Sequence, residues 1–128
     1  MIEDTFSITN TTKSTLPRVP FATIKEKVLG KKYDLSLVFI GDKKSQTLNN
    51  IYREKNKPTN CLSFSYDTNS GEIFLNLNKA KKEAKDFDKT FTDFVVFLFI
   101  HSLLHLKGME HSSTMEEAEN KFLKIFGI

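Results

Sequence analysis

Three histidines lie within one eleven-residue stretch and are all the histidines of the chain. They are His101, His105 and His111, in the run His-Ser-Leu-Leu-His-Leu-Lys-Gly-Met-Glu-His. On a helix, His101 and His105 lie one turn apart on the same face, so their imidazole nitrogens can bind one ion. Gly108 permits a sharp turn that returns His111 as a third ligand. The spacing therefore predicts a three-histidine metal site with an open coordination position.

The same spacing is the metal-ligand half of the metzincin signature, in which three histidines bind the zinc of a peptidase. A zinc peptidase carries a glutamate next to the first ligand as general base, and this chain has Ser102 there. The metal-site interpretation is retained, whereas the peptidase interpretation is weakened. The alternative is that the three histidines occur together by chance, each hydrogen-bonded to a backbone carbonyl. Their joint ligand spacing, with a glycine at the turn, argues against chance.

Three neutral imidazoles and a water molecule form the catalytic type of metal site, because structural zinc sites usually fill the fourth position with protein. Zinc, one ion per chain, is the expected metal, although histidines also bind nickel, copper and iron. A metal-bound water ionises near pH ~7 and supplies hydroxide without a dedicated base. Glu110, beside His111, is either a residue that orients a ligand or shuttles protons, or an exposed turn residue.

A second candidate group surrounds Arg53 at the end of a predicted helix, with Lys55 and Lys57 after it. A guanidinium holds a phosphate by two parallel hydrogen bonds, and a phosphodiester that reacts at a metal needs its developing charge neutralised. The alternative is a surface arginine that compensates the helix dipole, and nothing in the pattern brings it near the histidines. Cys61 and Ser63 are interpreted as strand residues, because no further histidine is available to activate either as a nucleophile.

Composition predicts one ordinary globular domain, residues 1–128, with 39% hydrophobic and 27% charged residues. The net charge of +3 permits a polyanionic partner without requiring one. The single cysteine cannot form an internal disulfide, and the N-terminal residues lack the features of a secretory signal, so we expect a cytoplasmic protein. The longest apolar block, residues 94–100, is too short to span a bilayer, so no membrane partner is expected.

Apolar periodicity predicts an intermixture of short strands and helices. Strands are predicted at residues 2–9, 34–40, 59–66 and 71–77, the last two as a hairpin with a loop of four residues or slightly more. Helices are predicted at residues 21–29, 43–54, 79–87 and 90–107, and from Ser113 onwards. Strict β-α alternation is lacking, which predicts an α+β fold with a small mixed four-stranded sheet packed by several helices.

The side-chain pattern also predicts how these helices start and which faces they bury. The helix at 90–107 is apolar nearly all round, so it should be the central buried helix and should carry His101 and His105 in a restricted setting. Asp42 and Asn78 are predicted to start helices, and Ser113 with Glu116 to form a capping box. The core-facing residues are predicted to be Leu48, Ile51 and Tyr52 in the second helix, and Met115, Ala118, Phe122 and Ile125 in the last.

These segments resemble the bacterial YbeY-type endoribonucleases, a family of ribosomal RNA maturation factors. The resemblance is carried by short motifs in the family's order, which cover about half of the chain: Leu48-Asn49, Tyr52-Arg53, Pro58-Thr59-Asn60-Cys61-Leu62-Ser63-Phe64, Gly71-Glu72-Ile73 and the histidine stretch. Any one of these pieces would be weak support. Their joint order, with the histidines following the Leu-Ser-Phe run, is specific.

The resemblance implies a single-strand-specific, metal-dependent endoribonuclease that acts in the bacterial cytoplasm in ribosomal RNA maturation, notably of the small-subunit RNA, and in ribosome quality control. It implies His101, His105 and His111 as metal ligands and Arg53 as a catalytic residue facing the metal cavity. The expected partners are single-stranded RNA, ribosomal RNA and the ribosome, and no DNA is expected. Two alternatives stay open: a metallopeptidase, and a non-catalytic ribosome assembly factor whose metal holds the last helices together.

The chain departs from the usual family pattern at several positions. Ser102 stands where Gly is usual, Glu110 and Glu72 where Asp is usual, and Asn60 where a further Asp is usual. Glutamate keeps the carboxylate and moves it by one methylene, whereas Asn60 loses the charge outright. If that aspartate orients a ligand or Arg53 in other members, the arrangement in this chain must differ, and the activity could be reduced.

Overall fold

The computed structural model describes residues 5–128, so residues 2–4 of the first predicted strand lie outside the described residues. The sheet consists of four strands in the described part of the chain: β1 (Phe6–Asn10), β2 (Asp34–Ile40), β3 (Cys61–Asp67) and β4 (Ser70–Asn76). Their spatial order is β1-β2-β4-β3. β1, β2 and β4 are parallel, and β3 is antiparallel to β4. The predicted small mixed sheet is confirmed.

Helices connect and cover these strands. In chain order they are α1 (Phe21–Leu29), α2 (Asp42–Arg53), α3 (Leu77–Glu83), α4 (Phe91–Leu106) and α5 (Ser113–Ile125), with a 3-10 turn at Ala84–Phe87 after α3. No single one of these helices has the length and apolar character to span a membrane. By those two criteria alone, the segments Leu77–Phe87 and Phe91–Leu106 would qualify only together, as a pair bent by 103°.

The core lies between the central strands and α4. Inward side chains alternate along β2 and β4 and pair in register: Leu35 with Gly71, Leu37 with Ile73, and Phe39 with Leu75. α4 is buried along nearly its whole length and packs against this face together with α1, while α5 packs on α4. Thr90 caps α4 by accepting a hydrogen bond from the backbone N–H of Asp93 at 3.2 Å. The predicted central buried helix is confirmed.

The buried face of α2 differs from the prediction. Of the three residues predicted to face the core, Ile51 and Tyr52 are each 62% exposed and Leu48 is half-buried. Ser45 and Asn49 are buried instead. Each donates a hydrogen bond to a backbone carbonyl, at 3.0 Å and 2.9 Å respectively. The prediction was wrong because hydrogen-bonded polar side chains, rather than apolar ones, face the sheet here.

Asp42 links the starts of two helices instead of capping its own. It is the first residue of α2, and its carboxylate accepts hydrogen bonds from the side-chain amides of Asn76 and Asn78, at 2.8 Å and 2.6 Å. These two bonds lower the pKa of Asp42 below its ordinary value, the bond from Asn76 contributing most. Asn76 rather than Asn78 caps α3, accepting from the backbone N–H of Lys79 at 3.1 Å. Both predicted helix starts were therefore wrong by one or two residues.

The last helix and the hairpin are also displaced from their predicted limits. Ser112, not Ser113, caps α5 and accepts from the backbone N–H of Met115 at 3.2 Å. Met115 is buried as predicted, but Ile125 is exposed, and the core contact at that end comes from Leu123. The hairpin turn between β3 and β4 comprises only residues 68 and 69, which is shorter than predicted.

Substitution of Gly71 should test how closely β4 approaches its neighbours. A Cβ atom at Gly71 would lie 2.5 Å from the Tyr33 hydroxyl and 2.8 Å from the backbone oxygen of Phe64. We expect Gly71→Ala to lower the free energy of unfolding by about 1–3 kcal/mol, measured by urea denaturation, because a packed core does not yield to an added methyl group.

The matched background for this test is Tyr33→Phe. The Tyr33 hydroxyl is buried and has no hydrogen-bond partner among the described residues, so its removal leaves no group unpaired. Gly71→Ala should be less destabilising in the Tyr33→Phe protein than in the wild type, by at least about 0.5 kcal/mol. An equal loss in both backgrounds would show that the Tyr33 hydroxyl is not the obstructing group.

Candidate metal centre and its cavity

The three histidines come together at the end of α4. Nε2 of His101 and Nε2 of His105 lie 3.1 Å apart on one face of the helix. Gly108 then adopts φ +100°, a left-handed conformation that glycine accepts without strain, and the chain turns back to bring His111 beside them. One candidate ligand atom from each ring lies within 4.8 Å of the other two. The geometry predicted from the spacing is thus present, while ligation of a metal stays a prediction.

Hydrogen bonds behind the rings fix the tautomers of the two helical histidines. Nδ1 of His101 lies 2.8 Å from the carboxylate of Glu119 on α5, and Nδ1 of His105 lies 3.0 Å from the backbone oxygen of Met109. Both partners can only accept, so each Nδ1 carries the proton. When neutral, each imidazole therefore presents its Nε2 lone pair to the other.

Two lone pairs at this separation need a cation or a proton between them. In a tetrahedral zinc site with bonds of about 2.0–2.1 Å, ligand nitrogens lie roughly 3.4 Å apart, close to the 3.1 Å found between His101 and His105. Burial, followed by the neighbouring His101, lowers the pKa of His105 below its ordinary value, which favours the neutral, metal-binding form. The donor set therefore fits a divalent transition metal.

The histidines open onto a cavity of about 310 Å³ between α4 and the β3 edge of the sheet. Cys61 and Ser63 of β3 line it because residues two apart on a strand share a face. Burial raises the pKa of the Cys61 thiol, so the thiol stays protonated and is a poor nucleophile. Ser102 is fully buried and does not line this cavity, so it cannot act as a base on a water molecule there.

Arg53 is the cationic residue of the cavity wall. It is the last residue of α2, it is exposed, and it lines the same cavity as the histidines. Burial is the largest cause of the raised pKa of Cys61 and of the lowered pKa of His105, and the charge of Arg53 has a smaller, lowering effect on both groups. Within residues 5–128, the ion pairs that form do not involve Arg53. The guanidinium is therefore available to an anion.

A second, basic pocket of about 260 Å³ adjoins the first and shares Arg53 and Asn60 with it. Its cations are Arg53, Lys55, Lys57 and Lys79, against the single carboxylate of Glu83. The predicted Arg53 group is therefore brought next to the histidines, although nothing in its spacing indicated this. Such a run of cations attracts a polyanion along the wall of the cavity.

The carboxylate that contacts a histidine is not the one proposed from the sequence. Glu110 is exposed, and no hydrogen bond of its side chain occurs among the described residues. Glu119, only 8% exposed, takes this position from α5. Sequence reasoning missed it because it lies eighteen residues from His101. The available signal was a glutamate among the inward positions of an amphipathic helix, where a charge needs a partner.

Comparison with known proteins shows the family of this chain. The family model described as endoribonuclease YbeY matches residues 2–126. An endoribonuclease YbeY from Aster yellows witches'-broom phytoplasma (strain AYWB) is 36% identical over 105 residues, which cover 75% of this chain and 68% of the relative. One from Neorickettsia sennetsu is 37% identical over 106 residues, covering 74% of each.

A solved structure supports the fold independently. The solution structure of a Thermotoga maritima protein matches with a TM-score of 0.65 and 22% identity, over 93% of this chain and 87% of that one. At this identity the likeness concerns the fold alone. The family match over nearly the whole chain, with relatives above 30% identity, is decisive, and the chain belongs to the endoribonuclease YbeY family.

Proposed function

We propose that this chain is a metal-dependent endoribonuclease that hydrolyses phosphodiester bonds of single-stranded RNA in ribosomal RNA maturation, notably of the small-subunit RNA. The observation that carries the proposal is the cluster of His101, His105 and His111 in a cavity that Arg53 also lines. Zinc, one ion per chain, is the proposed metal, and the ribosome the proposed partner. The bacterial cytoplasm is the proposed location, and a role in ribosome quality control belongs to the same proposal.

The three histidines would hold the metal. When bound there, a divalent ion would supply Lewis-acid chemistry, polarising a phosphoryl oxygen and lowering the pKa of a water molecule. Glu119 keeps the proton on Nδ1 of His101, so that Nε2 stays directed into the cavity as an acceptor. The backbone oxygen of Met109 does the same for His105. These two contacts orient both rings before any ion binds, which reduces the entropic cost of binding.

Arg53 would bind the phosphate that reacts. Its planar guanidinium can donate two parallel hydrogen bonds to a phosphodiester and stabilise the negative charge that develops on the phosphoryl oxygens. Lys55, Lys57 and Lys79 extend this positive wall away from the histidines. They would attract the neighbouring phosphates of the same strand, and this contact predicts binding that weakens with salt.

The two alternative functions, metallopeptidase and non-catalytic assembly factor, can be tested with the same purified protein. Zinc peptidases carry a glutamate base next to the first histidine, where this chain has the buried Ser102, and metal-dependent cleavage of a peptide bond would support this function. A structural metal is favoured by one observation, the bond between His101 of α4 and Glu119 of α5, since an ion there would tie the two helices together. Three results together would support the assembly-factor function. The wild-type protein would cut no RNA, removal of the metal would lower its melting temperature, and its association with the ribosome would remain.

RNA cleavage should depend on His105 and Arg53 for different reasons. We expect His105→Ala to abolish both zinc binding and cleavage of a single-stranded RNA. Arg53→Gln should keep zinc binding and reduce kcat/KM by at least about a hundredfold, because only the phosphate contact is lost. Zinc binding is measured by chelator competition and cleavage on labelled oligonucleotides. Cleavage retained by His105→Ala would refute the histidine site as the source of activity.

Zinc affinity should depend on Glu119 and not on Glu110. Glu119→Ala removes the acceptor that orients His101, so the dissociation constant for zinc should rise by about 10–100-fold. The matched control is Glu110→Ala, which removes an exposed carboxylate adjacent to His111. Equal losses in the two variants, measured by chelator competition, would show that overall charge rather than ring orientation determines affinity.

The turn at Gly108 should matter to zinc beyond its effect on stability. A Cβ atom at Gly108 (φ +100°) or at Gly30 (φ +90°) meets no atom within 4 Å, so alanine at either position brings backbone strain alone. Each substitution should destabilise the fold by about 1–2 kcal/mol. Gly108→Ala should also weaken zinc binding, because the strained turn displaces His111, whereas Gly30→Ala should not. Zinc titration with thermal denaturation measures both effects, and unchanged affinity in Gly108→Ala would contradict this role of the turn.

A further inference from the structure

We propose that Phe87 and Phe97 form a nucleobase-binding surface in the histidine cavity, on which the base of a nucleotide next to the reacting phosphate stacks. The inference rests on the proposed function and deepens it by assigning where the RNA base lies. Both rings line the same cavity as His101, His105, His111 and Arg53. The surface is called the aromatic wall below.

Phe87 is a largely exposed apolar residue that lines the histidine cavity. It is 52% exposed, and of the large hydrophobic side chains that are exposed in residues 5–128 it alone lines the histidine cavity. It ends the 3-10 turn at Ala84–Phe87, and Asp88 after it adopts φ +52°. The 3-10 turn therefore ends at Phe87, whose ring lies at the cavity.

The two rings of the aromatic wall have centroids 6.3 Å apart and are tilted by 31° to one another, and each stacks on the buried Phe94. Phe87 stacks on the buried Phe94 with centroids 4.9 Å apart and an interplanar angle of 25°. Phe97 lies 6.0 Å from Phe94 at 17°. The Phe97 ring continues the stack towards the metal site, since it lies 5.9 Å from His101 at 29°. A flat aromatic ligand can extend this series in the same offset geometry.

The lining of the cavity contains groups suited to both parts of a nucleotide. Arg53, which the cavity shares with the basic pocket, suits phosphate, while the aromatic wall suits an uncharged planar ring. Lys89 adds a cation at the edge of the wall, with Nζ 5.8 Å from the centroid of Phe97. A single strand, whose bases are unpaired, can present a base to the wall while its phosphate contacts Arg53.

Stacking is distinguished from simple apolar contact by the choice of substitution. Phe87→Leu keeps an apolar side chain of similar reach and removes the aromatic face, whereas Phe87→Trp keeps that face. Tyr66→Ala is the matched control, because Tyr66 is also an exposed aromatic residue, at 64%, and does not line the cavity. The melting temperature of each protein is measured first, and Phe87→Leu carries the test if Phe87→Ala does not fold.

The measurement is the binding of a short fluorescein-labelled oligoadenylate by anisotropy, together with KM for its cleavage by zinc-loaded protein. Loss of one stacked base should weaken binding roughly tenfold in Phe87→Ala and in Phe87→Leu. Phe87→Trp and Tyr66→Ala should bind like the wild type. An oligomer of abasic ribose phosphates should bind equally to the wild type and Phe87→Ala, because it has no base to stack.

The outcomes separate this inference from the proposed function. If wild-type protein cleaves RNA but Phe87→Leu binds and cleaves as well as the wild type, the aromatic wall does not bind a base and the inference is wrong. If Phe87→Ala weakens binding of the abasic oligomer as much as binding of oligoadenylate, the aromatic wall serves folding or charge placement, and the inference is equally wrong. If the wild type neither binds nor cleaves RNA, the proposed function fails, and the inference fails with it.

Discussion

The site depends on two imidazole rings whose lone pairs face each other. Glu119 and the Met109 carbonyl accept the Nδ1 protons of His101 and His105, and this leaves the two Nε2 atoms 3.1 Å apart. Such a pair is electrostatically unfavourable unless a cation or a proton lies between the rings. The half-buried surroundings strengthen the repulsion, because fewer water molecules can solvate the lone pairs. The packing of α4 on α5 therefore holds a cation-binding geometry in place before any cation arrives.

The parts of the fold that the sequence predicted are those with a strong local pattern. The long apolar run of α4, the dense strand at Asp34–Ile40 and the helix ended by Gly30 each contain their own signal. Some wrong assignments were local shifts of one or two residues, such as the cap at Ser112 instead of Ser113, and others involve polar side chains whose partners lie far away in the sequence. The Asp42 carboxylate accepts a hydrogen bond from Asn76, thirty-four residues away, instead of capping α2 as its position suggests. Local spacing carries no information about such partners.

The same difference between local and long-range signals decides which site residues could be predicted. The histidines were predictable because a single helix and one glycine turn place all three, and that geometry follows from helical periodicity. The proximity of Arg53 to the histidines could be expected only from the family resemblance. Arg53 lies on α2, and local sequence patterns do not show how α2 is placed relative to α4. Glu119 lies on a different helix from His101, and its partner is fixed by the packing of α5. Glu110 was the weaker choice because adjacency in sequence to His111 does not place a side chain behind a ring.

The structure also shows which departures from the family pattern lie at the histidine cavity and which lie away from it. Glu72 lies outside the cavity, where its carboxylate accepts from Ser36 at 3.2 Å and from the Tyr66 hydroxyl, a bond that raises the pKa of Tyr66 to about 12. Asn60 does line the cavity, and its amide donates to Glu83 at 3.0 Å. A carboxylate is thus present beside Asn60, contributed by α3. The negative charge next to position 60 is therefore that of Glu83, whose carboxylate also lies 3.9 Å from the Lys79 ammonium, so asparagine at this position is hydrogen-bonded to a carboxylate instead of carrying one.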